Sequence, residues 1–181
     1  MKRLLFFASL ALAAATARAE NVPLGTYGTF SIDLPAGWTL TSHAEEETGV
    51  AVVLTPPAGV NARGVLNVTV VVPPMPISKE TIDEQVQSSA EQFVGASVEK
   101  TKTLRPFKVS SGYGAYCLFT DAGEVGKPAT PEVYKNVVIG IIRLSESDAV
   151  AVSLLFDGEK GPELAALLQA LSTARIETAR H

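Results

Sequence analysis

Two β-rich segments joined by a very short polar connection constrain the fold of this chain most. Residues 134–144 and 149–156 are rich in Val, Ile and Leu, and only residues 145–148 separate them. Strands joined by so short a turn pair antiparallel, whereas parallel strands need a crossover of a dozen or more residues. The sequence therefore predicts an antiparallel hairpin here, with residues 134–144 as a central strand of its sheet.

Period-two alternation marks further strands. Phe30, Ile32 and Leu34 alternate with Ser31 and Asp33, which is typical of a strand with one buried face. Similar but weaker patterns predict strands at residues 38–41, 50–55, 65–72, 98–103 and 112–120. Glycines and prolines between residues 121 and 131 predict a loop.

Two segments have helical spacing instead. Ser78 suits a helix cap, Glu80 favours the first turn, and Gly95 is expected to stop a helix over residues 79–94. Its apolar stripe consists of Ile82, Val86, Ala90 and Phe93. A second helix is predicted from Pro162, with an apolar face of Leu164, Leu167, Leu168 and Leu171. Two amphipathic helices and short β-connections predict the α+β class, with an antiparallel sheet and helices packed on it.

The first nineteen residues resemble a secretory leader. Lys2 and Arg3 precede an apolar run over residues 4–15, and Ala17 and Ala19 occupy the two positions that a signal peptidase reads. We expect cleavage after Ala19, a single mature domain over residues 20–181, and a periplasmic or secreted location. The apolar run is too short to span a bilayer comfortably, so no stable membrane insertion is expected after cleavage.

The net charge of the chain limits the classes of partner that we expect. The full chain carries a formal charge of −4, and removal of Lys2, Arg3 and Arg18 takes this by three units to −7. An acidic surface repels phosphate backbones, so nucleic acid is not expected as a partner. The remaining expectation is an envelope protein or a small ligand, and no cofactor is predicted.

Cys117 is the only cysteine, so the chain contains no internal disulfide. It lies in an apolar stretch and has no basic sequence neighbour that would favour a thiolate. Its pattern favours a buried small hydrophobe, and a nucleophile or an intermolecular link is the alternative.

A candidate metal site consists of His43, Glu45 and Glu47. On a regular strand these three side chains would point the same way, and imidazole with carboxylates is a common donor set for divalent metals. The alternative is a solvated hairpin tip that carries a run of charge.

A candidate ligand cleft consists of Tyr113, Tyr116 and Tyr134. Tyrosine suits a cleft between sheet and helix because its ring is apolar and its hydroxyl can hydrogen-bond. The alternative is that these rings are core aromatics. No catalytic residues are predicted, since the chain has no Gly-x-Ser-x-Gly elbow and one internal histidine.

The segment from Tyr27 to Trp38, with Leu34, Pro35, Gly37 and Trp38 at its end, resembles the opening of the PsbP-like family. The order of a mid-chain helix, a long hairpin and a terminal helix is also similar. This resemblance implies an α/β/α sandwich and a binding or accessory role, as in the extrinsic subunit of photosystem II. Pro35 and Gly37 are expected to set a turn and Trp38 to fill the core, which are structural duties. We therefore expect an exported non-enzymatic binding or accessory protein, with a small-ligand or metal carrier as the alternative.

Overall fold

The computed structural model describes residues 18–46, 49–70, 75–110, 112–158 and 162–177. Within them the chain forms ten strands and two α-helices. The strands are β1 (Arg18–Pro23), β2 (Thr29–Leu34), β3 (Thr39–Glu46), β4 (Gly49–Thr55), β5 (Ala62–Val70), β6 (Arg105–Pro106), β7 (Tyr113–Thr120), β8 (Asn136–Arg143), β9 (Asp148–Phe156) and β10 (Arg175–Glu177). The helices are α1 (Lys79–Val94) and α2 (Pro162–Ser172).

Seven strands form one antiparallel sheet in the order β3-β4-β5-β9-β8-β7-β6. The predicted hairpin is its β8–β9 pair, with Asn136 opposite Phe156 and Arg143 opposite Ala149. The strands β1, β2 and β10 form a separate antiparallel sheet. The α+β class with helices packed on antiparallel sheets is confirmed.

The large sheet separates two hydrophobic layers. One of its faces packs on the small sheet and α2 in a core that includes Phe30, Leu54, Leu154 and Leu171, all fully buried. The other face carries α1, whose Ile82, Val86 and Ala90 pack on residues of β7 such as Phe119. The predicted stripe of α1 is therefore the buried one.

The beginning of α1 follows from its sequence. The Ser78 hydroxyl accepts a hydrogen bond from the Thr81 backbone amide at 3.1 Å, which satisfies an otherwise unpaired donor of the first turn. Hydrogen bonds from its own backbone amide and from Ser78 lower the pKa of Glu80. The cap and the acidic residue thus start the helix where the sequence predicts.

The turn that carries the family resemblance has the expected structural role. The Trp38 amide donates to the Pro35 carbonyl at 3.1 Å, and Gly37 between them has φ 81°, the value of a type II turn. The Trp38 ring is partly buried against the main core. A side chain at Gly37 would be strained in this conformation, so this position favours glycine.

Several predicted boundaries are wrong. Residues 98–103 form no strand, because Lys100 takes φ 55°, which interrupts the extended chain. The large sheet therefore ends at β6 on this side. The predicted strand over residues 65–72 begins at Ala62, and residues 71–74 lie outside the described part of the chain.

The N-terminal strand bears on the leader prediction. Residues 1–17 lie outside the described residues, but Arg18 and Ala19 are the first residues of β1 and lie opposite Leu34 and Asp33 of β2. The predicted cleavage point is thus within a paired strand. Among the described residues, no helix has the length and apolar character needed to cross a membrane.

Candidate functional site beside the first helix

Helix α1 covers only part of its face of the large sheet. It packs on β7 and β8, and among the residues that the structure describes no helix lies over the outward side chains of the other four long strands. We call this surface the open face. Register and alternation assign to it Thr39, Thr41, His43, Gly49, Ala51, Val53, Thr55, Arg63, Val65, Asn67, Thr69, Ala149, Ala151, Ser153 and Leu155.

A cavity of about 320 Å³ lies where the end of α1 meets the border of the open face. Its wall includes the rings of Phe93 and Phe119, which stack with centroids 5.7 Å apart, and the ring of Tyr134. We call it the Tyr134 cavity. Its other lining residues are Ala96, Ser97, Asp121, Lys135, Asn136, Val137, Ile139, Ser153 and Leu155. The combination of apolar walls with a few hydroxyl and charged groups is typical of small-molecule sites.

A clip of hydrogen bonds positions Tyr134. The side-chain amide of Asn61 donates to the carbonyl oxygens of Thr130 and Val133 at 3.0 and 2.9 Å, and to the Asp157 carboxylate at 2.8 Å. These bonds attach the loop before β8 to the segment before β5. Tyr134 follows Val133 directly, so the clip fixes the chain that brings its ring to the cavity.

Hydrogen bonds also hold the floor of the Tyr134 cavity in place at Asn136. The Glu99 carboxylate accepts hydrogen bonds from the backbone amide and hydroxyl of Thr120, at 2.8 and 2.9 Å. The Thr120 hydroxyl also lies 3.0 Å from Asn136 Oδ1, and the Asn136 amide donates to carbonyls at the end of β9. Glu99 thus takes the place of the missing strand at residues 98–103 and completes the edge of β7.

A second cavity of about 370 Å³ lies at the other end of α1. Its lining consists of Thr69, Met75, Pro76, Ile77, Thr81, Gln85, Ile141, Ala149 and Ala151. Met75 is 61% exposed, which is unusual for so large an apolar side chain. The two cavities lie along one flank of α1 and adjoin the open face.

The three predicted tyrosines do not line one common cleft. Tyr113 packs with the α1 layer, whereas Tyr116 belongs to the main core on the opposite face of β7. Tyr134 lies near the other end of the hairpin, since Tyr113 pairs with Arg143 and Thr120 with Asn136. The three rings therefore share no cleft, and of the three only Tyr134 lines the cavity described above.

Tyr113 instead attaches α1 to the sheet. Its hydroxyl donates to the Asp83 carboxylate at 2.7 Å, and the Lys79 ammonium, which also pairs with Asp83, lies 4.8 Å from the ring centroid. Partial burial raises the pKa of Asp83, but hydrogen bonds from Lys79 and Tyr113 outweigh it, so the pKa lies below its usual value. Burial and the bond to Asp83 raise the pKa of Tyr113.

The predicted metal site rests on an alternation that the backbone interrupts. The register of β3 with β4 shifts between Ala44 and Glu46, so a bulge follows His43. Glu47 lies outside the described residues. Among the residues the structure describes, no group of three His, Cys, Asp or Glu side chains is placed to hold a metal ion. A site at His43, Glu45 and Glu47 therefore stays a prediction.

Cys117 lies on β7 and is fully buried in the layer between this strand and α1. Burial raises the pKa of its thiol, and the more distant charges of Lys102 and Arg105 only partly offset this. The interpretation as a small buried hydrophobe is confirmed.

Sequence reasoning missed the Phe93–Phe119 stack and the roles of Ser97 and Ser153 at the cavity. Phe93 closes the predicted stripe of α1, which was a usable signal, but Ser153 gives none. No family model matches this chain, and no curated protein matches it either.

Proposed function

We propose that this protein is an exported, non-enzymatic binding or accessory protein that acts in the periplasm. Its partner is a protein of the cell envelope, and the Tyr134 cavity receives an apolar group of that partner. The observation that carries the proposal is the cavity with an aromatic wall beside the end of α1. The leader-like residues 1–19 and the resemblance to the PsbP-like family support the export and the accessory role.

The chemistry of the cavity favours binding. Its aromatic wall offers a large contact area, while Tyr134 and Ser153 bring hydroxyl groups that can orient a bound group. The buried polar groups at its floor are engaged in hydrogen bonds that hold the sheet edge. Such a site is preorganised, which lowers the entropy lost on binding.

Photocrosslinking from the cavity tests this proposal. A photoreactive side chain at Ala96, which lines the cavity and is exposed, is expected to capture an envelope protein in living cells. The matched control is Gln87, an exposed position on another side of α1. Capture of the same protein from both positions, or of none from Ala96, would contradict the proposal, and an adduct of two copies of this chain does not count.

The export part has its own test. The chain expressed with its leader is fractionated, and the mass of the periplasmic form is measured. We expect a chain that begins at Glu20. An uncut chain that remains in the cytosol would exclude a periplasmic role.

A small-ligand carrier is the second candidate, favoured by the size of the Tyr134 cavity. Its volume of about 320 Å³ lies at the small end of the range for small-molecule sites. A carrier would melt at a higher temperature in the presence of its ligand. Titration calorimetry with Zn²⁺, Cu²⁺ and Ca²⁺ tests whether the protein carries a metal ion. Unchanged heats and an unchanged melting temperature would exclude a metal site at His43, Glu45 and Glu47.

A further inference from the structure

We propose that the open face is the contact surface of a symmetric dimer, in which two copies of this chain pack sheet against sheet. This contact goes beyond the binding role of the Tyr134 cavity, which it borders at Ser153 and Leu155. Four observations support it: charge, side-chain size, the position of α1 and the extent of the face.

The open face is nearly free of charge. Among its described side chains Arg63 is the only Lys, Arg, Asp or Glu, although these residues make up 19% of the chain. The rest are Ala, Gly, Val, Leu, Ser, Thr, Asn and the edge residue His43. Depletion of charge is the compositional mark of the core of a protein–protein interface.

The flank of α1 that borders the open face is uncharged as well. Thr81 and Gln85 line the second cavity on this flank. Helical periodicity places Ser88 and Gln92 beside them, and both are exposed. The acidic residues of α1 lie on its other sides: Glu80, Asp83, Glu84 and Glu91. An uncharged flank of this kind is compatible with a partner that packs beside it.

Side-chain size alternates across the face. One register row contains Ala151, Asn67 and Ala51, and the next contains Ser153, Val65 and Val53. Most of these side chains are short, so two copies of the face can approach closely. A two-fold axis along the strands lays each row on the same row of the other copy, as in an isologous interface.

The position of α1 selects the axis. The helix is about 10 Å across, and packed sheets lie about 10 Å apart, so a second sheet on the open face is level with α1. An axis in the interface perpendicular to the strands would bring the two α1 helices into collision. An axis along the strands places each α1 beside the β3 edge of the other copy. There the unpaired backbone groups of β3 meet the hydroxyl and amide side chains of the α1 flank.

The extent of the face suits a stable dimer. Four strands about 4.8 Å apart and about 25 Å long give a flat area of roughly 500 Å² per copy. The faces of both copies together therefore bury about 1,000 Å², and the two contacts between α1 and β3 bring the total toward the lower limit for specific interfaces, about 1,200 Å².

The test is the mass of the purified chain by analytical ultracentrifugation, after expression with its own leader. We expect twice the mass of one chain at micromolar concentration. Two variants that each turn an amide into a nearly isosteric carboxylate are compared: Asn67→Asp in the middle of the open face and Gln87→Glu on the acidic side of α1. Asn67→Asp is expected to weaken dimerisation tenfold or more, because it buries an unpaired charge, and Gln87→Glu to leave it unchanged.

A chain that stays monomeric at about 100 µM overturns the proposal, since specific dimers of this size bind more tightly. A dimer that responds equally to both variants overturns the assignment to the open face. If circular dichroism shows that Asn67→Asp is unfolded, Thr41→Glu on exposed β3 replaces it. A dimer that captures no envelope protein from Ala96 supports this inference and contradicts the proposed binding role, so the two are separable.

Discussion

The two faces of the seven-stranded sheet have the same backbone and opposite side-chain chemistry. On the inner face, β4, β5 and β9 contribute large buried side chains such as Val52, Leu66 and Leu154, which the small sheet and α2 cover. On the open face the same strands contribute mainly Ala, Val, Ser, Thr and Asn, half-buried or exposed. The inner face holds the fold together, whereas the open face is the surface that we propose for contact with a second copy of the chain.

The comparison is sharpest between two adjacent leucines of β9. Leu154 is fully buried in the inner core, whereas Leu155 lies on the open face. Leu154→Ala is expected to lower the free energy of unfolding by about 2–5 kcal/mol, because it leaves a cavity in a packed core. Leu155→Ala is expected to lower it by less than about 1.5 kcal/mol, because part of that side chain is already in water.

Urea unfolding at submicromolar concentration, where a dimer is dissociated, measures both values. Equal losses for the two leucines would mean that the open face is packed within the single chain, and the contrast between the faces would fail.

Two glycines extend the same comparison. A Cβ at Gly140 would lie 2.5 Å from a Phe107 ring carbon and 2.7 Å from Tyr116 Cβ, whereas at Gly49 its nearest neighbour would be 3.8 Å away. Gly140→Ala is therefore expected to destabilise the protein by about 1–3 kcal/mol through overpacking. Gly49→Ala is expected to be neutral or to stabilise by up to about 1 kcal/mol, since it reduces the freedom of the unfolded chain. Thermal melting distinguishes them, and a larger loss at Gly49 would contradict the contrast.

The smallest expected effect concerns how α1 is held on its half of the outer face. Tyr113→Phe removes the hydrogen bond to Asp83 and is expected to cost about 0.5–1.5 kcal/mol. The folded pKa of Asp83 is below its unfolded value of about 3.9, so its contribution is present above that pH and is lost as the pH falls through the folded pKa.

Because the Lys79 partner of Asp83 is more than half exposed to solvent, this pH-dependent part is expected to stay under about 1 kcal/mol. Stability measured from pH 6 to pH 2 in the wild type and in Asp83→Asn checks the sign. A variant that loses as much stability as the wild type over this range would show that Asp83 has no part in it.

Much of the fold could be predicted because local signals agreed with tertiary packing. The Ser78 cap and the stripe of Ile82, Val86 and Ala90 gave the bounds of α1, and the short turn before Asp148 gave the hairpin. The prediction that α1 ends at Gly95 is correct. The glycine does not end the helix through a left-handed conformation, however, because its φ of −61° is helical. The end is set by Ser97, whose hydroxyl donates to the Val94 carbonyl.

The small sheet could not be predicted, because its signals are short or ambiguous. The residues of β1 do not alternate and overlap the leader motif, and β10 has three residues. The strand at residues 98–103 failed because a positive φ at Lys100 has no sequence signature.

The spacing of the tyrosines in the sequence already argues against a shared cleft. Tyr113 and Tyr116 are three residues apart, and on a strand an odd spacing places two side chains on opposite faces. The Tyr134 cavity was not predictable in full, because its lining comes from four separate segments that only the tertiary fold brings together.

The position of β1 has a consequence for the life of the chain before it is folded. Removal of a leader after Ala19 breaks a peptide bond that in the folded structure lies between two residues paired with Asp33 and Ile32. A protease binds its substrate as a free extended segment, and the residues of β1 are free only until they pair with β2. If a leader is removed after Ala19, the cleavage must therefore precede the pairing of β1 with β2, and the first residue of the shortened strand is then Glu20.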